Sequence, residues 1–219
     1  MFVKKPWAGK LPASNANLSF YGGYWNDKEK LDIKDLINVG IFTAIYYILL
    51  IVAGFLGYIP IFSVLFPLMV ALLCGIPFVL FLTRTKTFGM ITIMGVLLGI
   101  LNFAFGQGWY SIATGLLCGL LADLICKAGE YKSWKHMVVC FCVFSEWIIG
   151  SMLPMWIMKD SYFEMVRDMQ GVAFAGSLES LITGWMLVLL IVLTAVAAVI
   201  GAYLGKTVLK KHFIRAGIV

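Results

Sequence analysis

Hydrophobic and polar positions fall into blocks much longer than the alternation of a soluble fold. The first apolar block reads DIKDLINVGIFTAIYYILLIVAGFLG over 32–57, with no charge after Asp35. At ~1.5 Å per residue such a helix crosses a bilayer. Asp32 and Asp35 stand where an N-cap and its partner three residues on would stand, so the helix begins abruptly. Six apolar runs are expected in all, at roughly 33–56, 61–82, 88–106, 109–126, 136–158 and 181–204. Pro67 and Pro77 predict a kinked second run. Short turns at Gly57–Pro60 and Gly106–Gly108 alternate with basic loops at 83–87 and 127–135. The pattern predicts an all-α membrane protein, a bundle of six transmembrane helices.

The connection at 159–180 differs from the others. Tyr162, Met165, Val166 and Met169 recur at helical spacing, while Asp160, Glu164, Arg167 and Asp168 fall largely on other faces. A short amphipathic outer helix is expected there, between the fifth and sixth membrane helices. Gly171 and Gly176 then suit a flexible return, and Ser177 with Glu179 a start for the last helix. Such a segment is either a lid over a site or a helix resting on the bilayer.

Composition agrees with the pattern. Hydrophobic residues make up 62% of the 219 and charged residues 13%, far from the balance of a soluble domain. The net charge of +6 is a matter of topology rather than of nucleic-acid binding. With the amino terminus inside, fifteen of the seventeen Lys and Arg lie on the cytoplasmic side and only Lys159 and Arg167 outside. Both termini are then cytoplasmic. The chain divides into a segment 1–31 that is cytoplasmic or interfacial, a membrane domain 32–210 and a basic tail 211–219. Segment 1–31 mixes lysines with Trp7, Phe20, Tyr21, Tyr24 and Trp25, and does not read as a secretory signal.

Candidate chemistry is sparse. There is no GxxxxGK[ST], HExxH or GxSxG, and His136 and His212 both sit at the cytoplasmic edge. The five cysteines lie in apolar runs without metal-ligand spacing, so no metal site or disulfide is expected. No enzymatic role is expected of this chain. Glu146 falls near the middle of the fifth run, where a carboxyl must face protein, water or a ligand. Asp123 stands one turn from Lys127 and is expected to pair with it. Asn102, Gln107, Trp109, Tyr110, Met152, Met155, Trp156, Tyr162 and Trp185 gather toward the outer half, as aromatic and methionine walls with a few polar groups. Small residues four apart mark close helix packing at Gly40/Ala44, Gly95/Gly99, Gly115/Gly119 and Ala197/Gly201/Gly205. Spacing alone leaves open whether the partner lies in this chain.

Two stretches carry a family resemblance: DLINVGIFTAIYY (35–47) and YKSWKHMVVCFCVFSEWIIGSMLPMWI (131–157). With six short spans and a long fifth loop, the chain resembles the substrate-binding S component of an energy-coupling factor (ECF) transporter. More narrowly, it resembles the Trep_Strep integral membrane branch. The resemblance covers roughly 32–210. It implies a bacterial cell-membrane protein that captures a micronutrient at its outer face, a vitamin or haem, and topples to release it inward. It also implies a transmembrane coupling subunit and two ABC-type ATPases as partners. Gly40 and Ala44 stand where the family's AxxxA face meets the coupling subunit, with glycine in place of the first alanine. No intrinsic cofactor is implied; a bound haem would find Met or Tyr but no outer histidine. The competing expectation is a self-sufficient secondary transporter or channel that uses Glu146.

Overall fold

The computed structural model describes residues 31–215, with side chains to residue 210, so most of the 1–31 segment lies outside the described residues. Among the described residues the regular structure is helical throughout, without a strand. Helix α1 spans Ile33–Gly54 and opens on the expected capping box. The Asp32 carboxylate accepts the Ile33 N–H at 2.7 Å, and Asp35 accepts that of Asp32 at 3.1 Å. A 3-10 turn, Phe55–Tyr58, leads into α2 (Pro60–Val64) and α3 (Phe66–Arg84). The kinked run expected at 61–82 is therefore two helices. Pro67 sits in the first turn of α3, where a missing N–H costs no helical bond, and Pro77 alone remains inside.

Helices α4 (Met90–Ala104) and α5 (Tyr110–Ala128) follow as expected. The fifth run is broken at its middle. Helix α6 (Trp134–Ser145) gives way to a 3-10 turn at Glu146–Ile148, then to α7 (Ile149–Met152) and α8 (Pro154–Ile157). Among the described residues, five segments are long and apolar enough to span a membrane: Ile33–Tyr58, Phe66–Arg84, Tyr110–Ala128, Trp134–Met152 and Met186–Lys210. Helix α4 is apolar but has only 15 residues, ~22 Å of rise against a ~30 Å hydrocarbon core.

The connection after α8 holds two helices where one was expected, α9 (Lys159–Gln170) and α10 (Val172–Leu181). Gly171, at φ 90°, makes the bend between them in a region that favours glycine. Gly176, Ser177 and Glu179 lie within α10, and the last helix, α11, starts later and runs Met186–Arg215. Helix α9 is amphipathic, but its inward face is Phe163 and Val166; Met165 and Met169 are 46% and 75% exposed. The expected stripe is thus rotated by about one residue, because α10 and α8 set the direction of packing.

Two helix pairs approach at backbone distance. A Cβ on Gly95 would collide with the Gly115 carbonyl, and one on Gly99 would lie 2.7 Å from Ile112 Cα. In the same way Gly75 of α3 meets Gly201 and Gly205 of α11, 2.7 Å from Gly201 Cα to a Cβ on Gly75. Only glycine permits this contact, which maximises dispersion where lipid gives no hydrophobic drive. Against these pairs packs an aromatic core: Phe78 lies 4.8 Å from Phe141 and 4.5 Å from Phe144, and Trp147 Nε1 donates to the Tyr46 hydroxyl at 3.4 Å. A second cluster seals α9 and α10 onto the bundle through Val64, Met152, Met155, Phe163, Val166, Ala175 and Leu178.

Candidate functional site

The break in the fifth run positions a cavity of about 450 Å³ at the end of the bundle where α1 and α4 stop. Thr114 on α5 holds the break in place: its hydroxyl donates to the Trp147 carbonyl at 2.8 Å, and its side chain fills the space left by Gly150. Residues beyond the break, Ser151, Met152 and Met155, then face the cavity. Tyr47, Leu50, Ile51 and Gly54 come from α1, with Phe55, Gly57 and Tyr58 from the turn after it. Ser63 and Phe66 come from α2 and α3, Asn102, Phe105 and Gln107 from the end of α4, and Tyr162 and Gln170 from α9.

The wall has a graded character. Tyr47, Asn102, Ser151, Met152 and Met155 are buried, whereas Phe55, Tyr58, Phe105, Gln107 and Gln170 are exposed and form a rim. The Tyr47 and Phe105 rings lie 5.6 Å apart. Among the described residues, none that lines the cavity is charged. The two cations of α9 are engaged elsewhere: Glu179 of α10 pairs with Lys159 at 3.2 Å and with Arg167 at 3.0 Å. Burial pushes the Tyr162 phenol up to about 12, so it is a neutral donor at physiological pH.

Five of the ten residues singled out from sequence meet here: Asn102, Gln107, Met152, Met155 and Tyr162. The other five are placed elsewhere. Trp109 is 60% exposed and stacks on Tyr110 at 4.4 Å, and the Tyr110 hydroxyl donates to Met158 Sδ at 3.6 Å. Trp156 Nε1 donates to the Thr183 carbonyl at 3.0 Å, and Trp185 is 64% exposed. Glu146 sits in the 3-10 turn; its two carboxylate oxygens are enclosed without a hydrogen-bond partner among the described residues and do not reach the cavity. Tyr47, Ser151 and Gln170 escaped the sequence reading. Ser151, a polar residue one turn before Met155, was the readable signal; the place of Tyr47 depends on the rotation of α1.

The Asp123–Lys127 pair expected from sequence does not form. Asp123 is fully buried between α4 and α5 and accepts from Gly89 N at 2.7 Å, Thr92 N at 3.2 Å, Thr92 Oγ1 at 3.1 Å and the Tyr131 hydroxyl at 3.0 Å. Lys127 instead lies over the Phe88 ring, 5.1 Å from its centroid. Rotation of α5 toward the glycine contact carries the carboxylate inward, to the unpaired N–H groups that begin α4.

Apolar helices of spanning length around an end cavity define a multi-pass integral membrane protein. The family model described as hypothetical bacterial integral membrane protein (Trep_Strep) matches residues 33–215, and the chain belongs to that family. It is therefore a multi-pass membrane protein of bacteria. Comparison with curated proteins and with solved structures returned no match.

Proposed function

We propose that the chain is the substrate-binding S component of an ATP-driven ECF-type importer. The observation that carries this reading is the division of the small-residue faces. Those of α4, α5 and α11 are consumed within the chain, whereas a Cβ on Gly40 would meet nothing within 4 Å. Gly40 and Ala44 lie on the exposed side of α1, flanked by exposed Ile37, Ile41, Ile45 and Ile48. A face that admits close helix approach and has no partner among the described residues suits a transmembrane coupling subunit. Two ABC-type ATPases would supply the drive, and this chain would hydrolyse nothing. If α4 crosses as a sixth, short span and both termini are cytoplasmic, the cavity would lie on the outer side, where a vitamin-like molecule or haem would enter as substrate rather than cofactor. Residues 1–31 and 211–219 would flank the membrane domain 32–210 inside the cell. The five clustered residues would contact substrate, and the other five would shape the surroundings of the site.

Co-purification of the tagged chain from its host tests this. Expected are a membrane partner and two ATPases, all lost in Gly40→Leu/Ala44→Leu although the variant still folds. Assembly and uptake that survive the double substitution would overturn the docking role. The enclosed carboxylate of Glu146 favours a second reading, a self-sufficient proton-linked transporter. That reading expects flux in liposomes from this chain alone, abolished by Glu146→Gln.

A further inference from the structure

Asn102 stands in the last turn of α4, only 3% exposed, and lines the cavity. Its carboxamide makes no hydrogen bond to any other described residue, yet it is not sealed in protein, so its polar atoms open on the cavity. The phenols of Tyr47 and Tyr162 line the same space and likewise bond to no other described residue. Ser151 spends its proton on the Ile148 carbonyl at 2.6 Å and faces the cavity as an acceptor. Inside the exposed rim the site therefore offers one amide, two phenols, the Ser63 hydroxyl and the Ser151 acceptor oxygen, with no charge among the described lining residues.

We propose that this cavity takes an uncharged organic molecule that presents a hydrogen-bond donor beside an acceptor, a lactam, ureide or heteroaromatic amide edge, to Asn102. The inference deepens the proposed capture of substrate and rests on it. A carboxamide carries a donor and an acceptor side by side, and its complement is another amide-like edge, joined by two antiparallel hydrogen bonds. Either half of that edge left unmatched would strand a buried polar group, so the site discriminates against molecules that lack it. An ionised group faces the opposite problem: it would lose its hydration and find no counter-charge on the cavity wall. A haem carries two carboxylates that these walls would leave unpaired. Tyr47, Phe105 and Met155 supply the apolar and aromatic surface on which a flat ring rests.

The test incubates the full chain in nanodiscs with the dialysable small-molecule fraction of yeast extract. After washing and denaturation, mass spectrometry identifies what was retained. Asn102→Leu removes the amide at similar volume, Asn102→Asp keeps the shape but removes the donor, and melting curves establish that each is folded. Expected is a compound uncharged at neutral pH, with an amide-like edge, retained by the wild type at least about tenfold over both variants, a loss of one decade in affinity. Retention of a carboxylate, phosphate or ammonium compound that depends on Asn102 would overturn the inference and leave substrate capture standing. Equal retention of a neutral compound by wild type and both variants would overturn the role of Asn102. No retention above empty nanodiscs would overturn both the inference and the capture.

Discussion

The Tyr131 hydroxyl donates to Asp123 Oδ1 across 3.0 Å, joining the loop after α5 to a carboxylate whose other oxygen caps the start of α4. Glu130 and Tyr131 both adopt positive φ, 51° and 53°, to deliver this phenol. Two consecutive non-glycine residues there are costly, and the buried bond offsets the cost. Burial and the adjacent carboxylate hold the Tyr131 phenol well above its usual range, so it stays a donor.

Asp123→Ala should destabilise the protein by roughly 3 kcal/mol or more, because several donors lose their acceptor in a buried place. Tyr131→Phe should cost only about 1 kcal/mol. Thermal unfolding in detergent measures both. Equal melting of Asp123→Ala and wild type would show that the network contributes nothing.

The glycines should separate into two classes. Gly201→Leu should prevent the α3–α11 contact and abolish folded protein, since the space it needs holds backbone of Ala71 and Leu72. Gly40→Leu should leave the melting temperature almost unchanged, because nothing lies within 4 Å of its Cβ position. Size-exclusion profiles and melting curves read the difference.

Glu179 clasps α9 to α10 through Lys159 and Arg167, all partly exposed. Screening by water limits such pairs to a few tenths of a kcal/mol, so Glu179→Gln should barely change global stability. Amide exchange in 159–181 should quicken, and high salt should have the same effect on wild type. Unchanged exchange would mean that the apolar cluster of Phe163, Val166 and Leu178 holds these helices without help.

Tyr162 should give an alkaline signature. Its folded value of about 12 exceeds that of an unfolded tyrosine, ~10. Its contribution is complete below pH ~10 and is lost as pH rises through the folded value. Tyr162→Phe should therefore flatten the fall in stability over that window, measured by melting at stepped pH. A fall of the same depth in the variant would assign the loss to other groups.

The apolar runs, the capping box of Asp32 and Asp35, the glycine pairs and an amphipathic segment after residue 159 were legible because each is a local or periodic signal. The divided second and fifth runs were less so, since Pro67 and Glu146 are each compatible with a continuous helix. Half of the residues singled out from sequence lie off the cavity for a related reason. Aromatic residues gather near membrane interfaces whether they face lipid, loop or ligand, so Trp109 and Trp185 carry the same composition signal as Tyr47.

By itself the sequence determined a chain that must live in a bilayer, because no arrangement of so apolar a polymer could cover itself with polar surface. It also determined where α1 begins, through a capping box that acts over three residues. Helix rotation was decided only in the tertiary structure. Glycine contacts between α4 and α5, and between α3 and α11, turn each helix to one azimuth. That choice buries Asp123 and opens Asn102 on the cavity, while burial of Val39, Phe42, Tyr46 and Tyr47 turns α1 so that Gly40 faces outward. Residue spacing on one helix cannot carry this information, because a helix in lipid has no polar side to orient it until another backbone comes close.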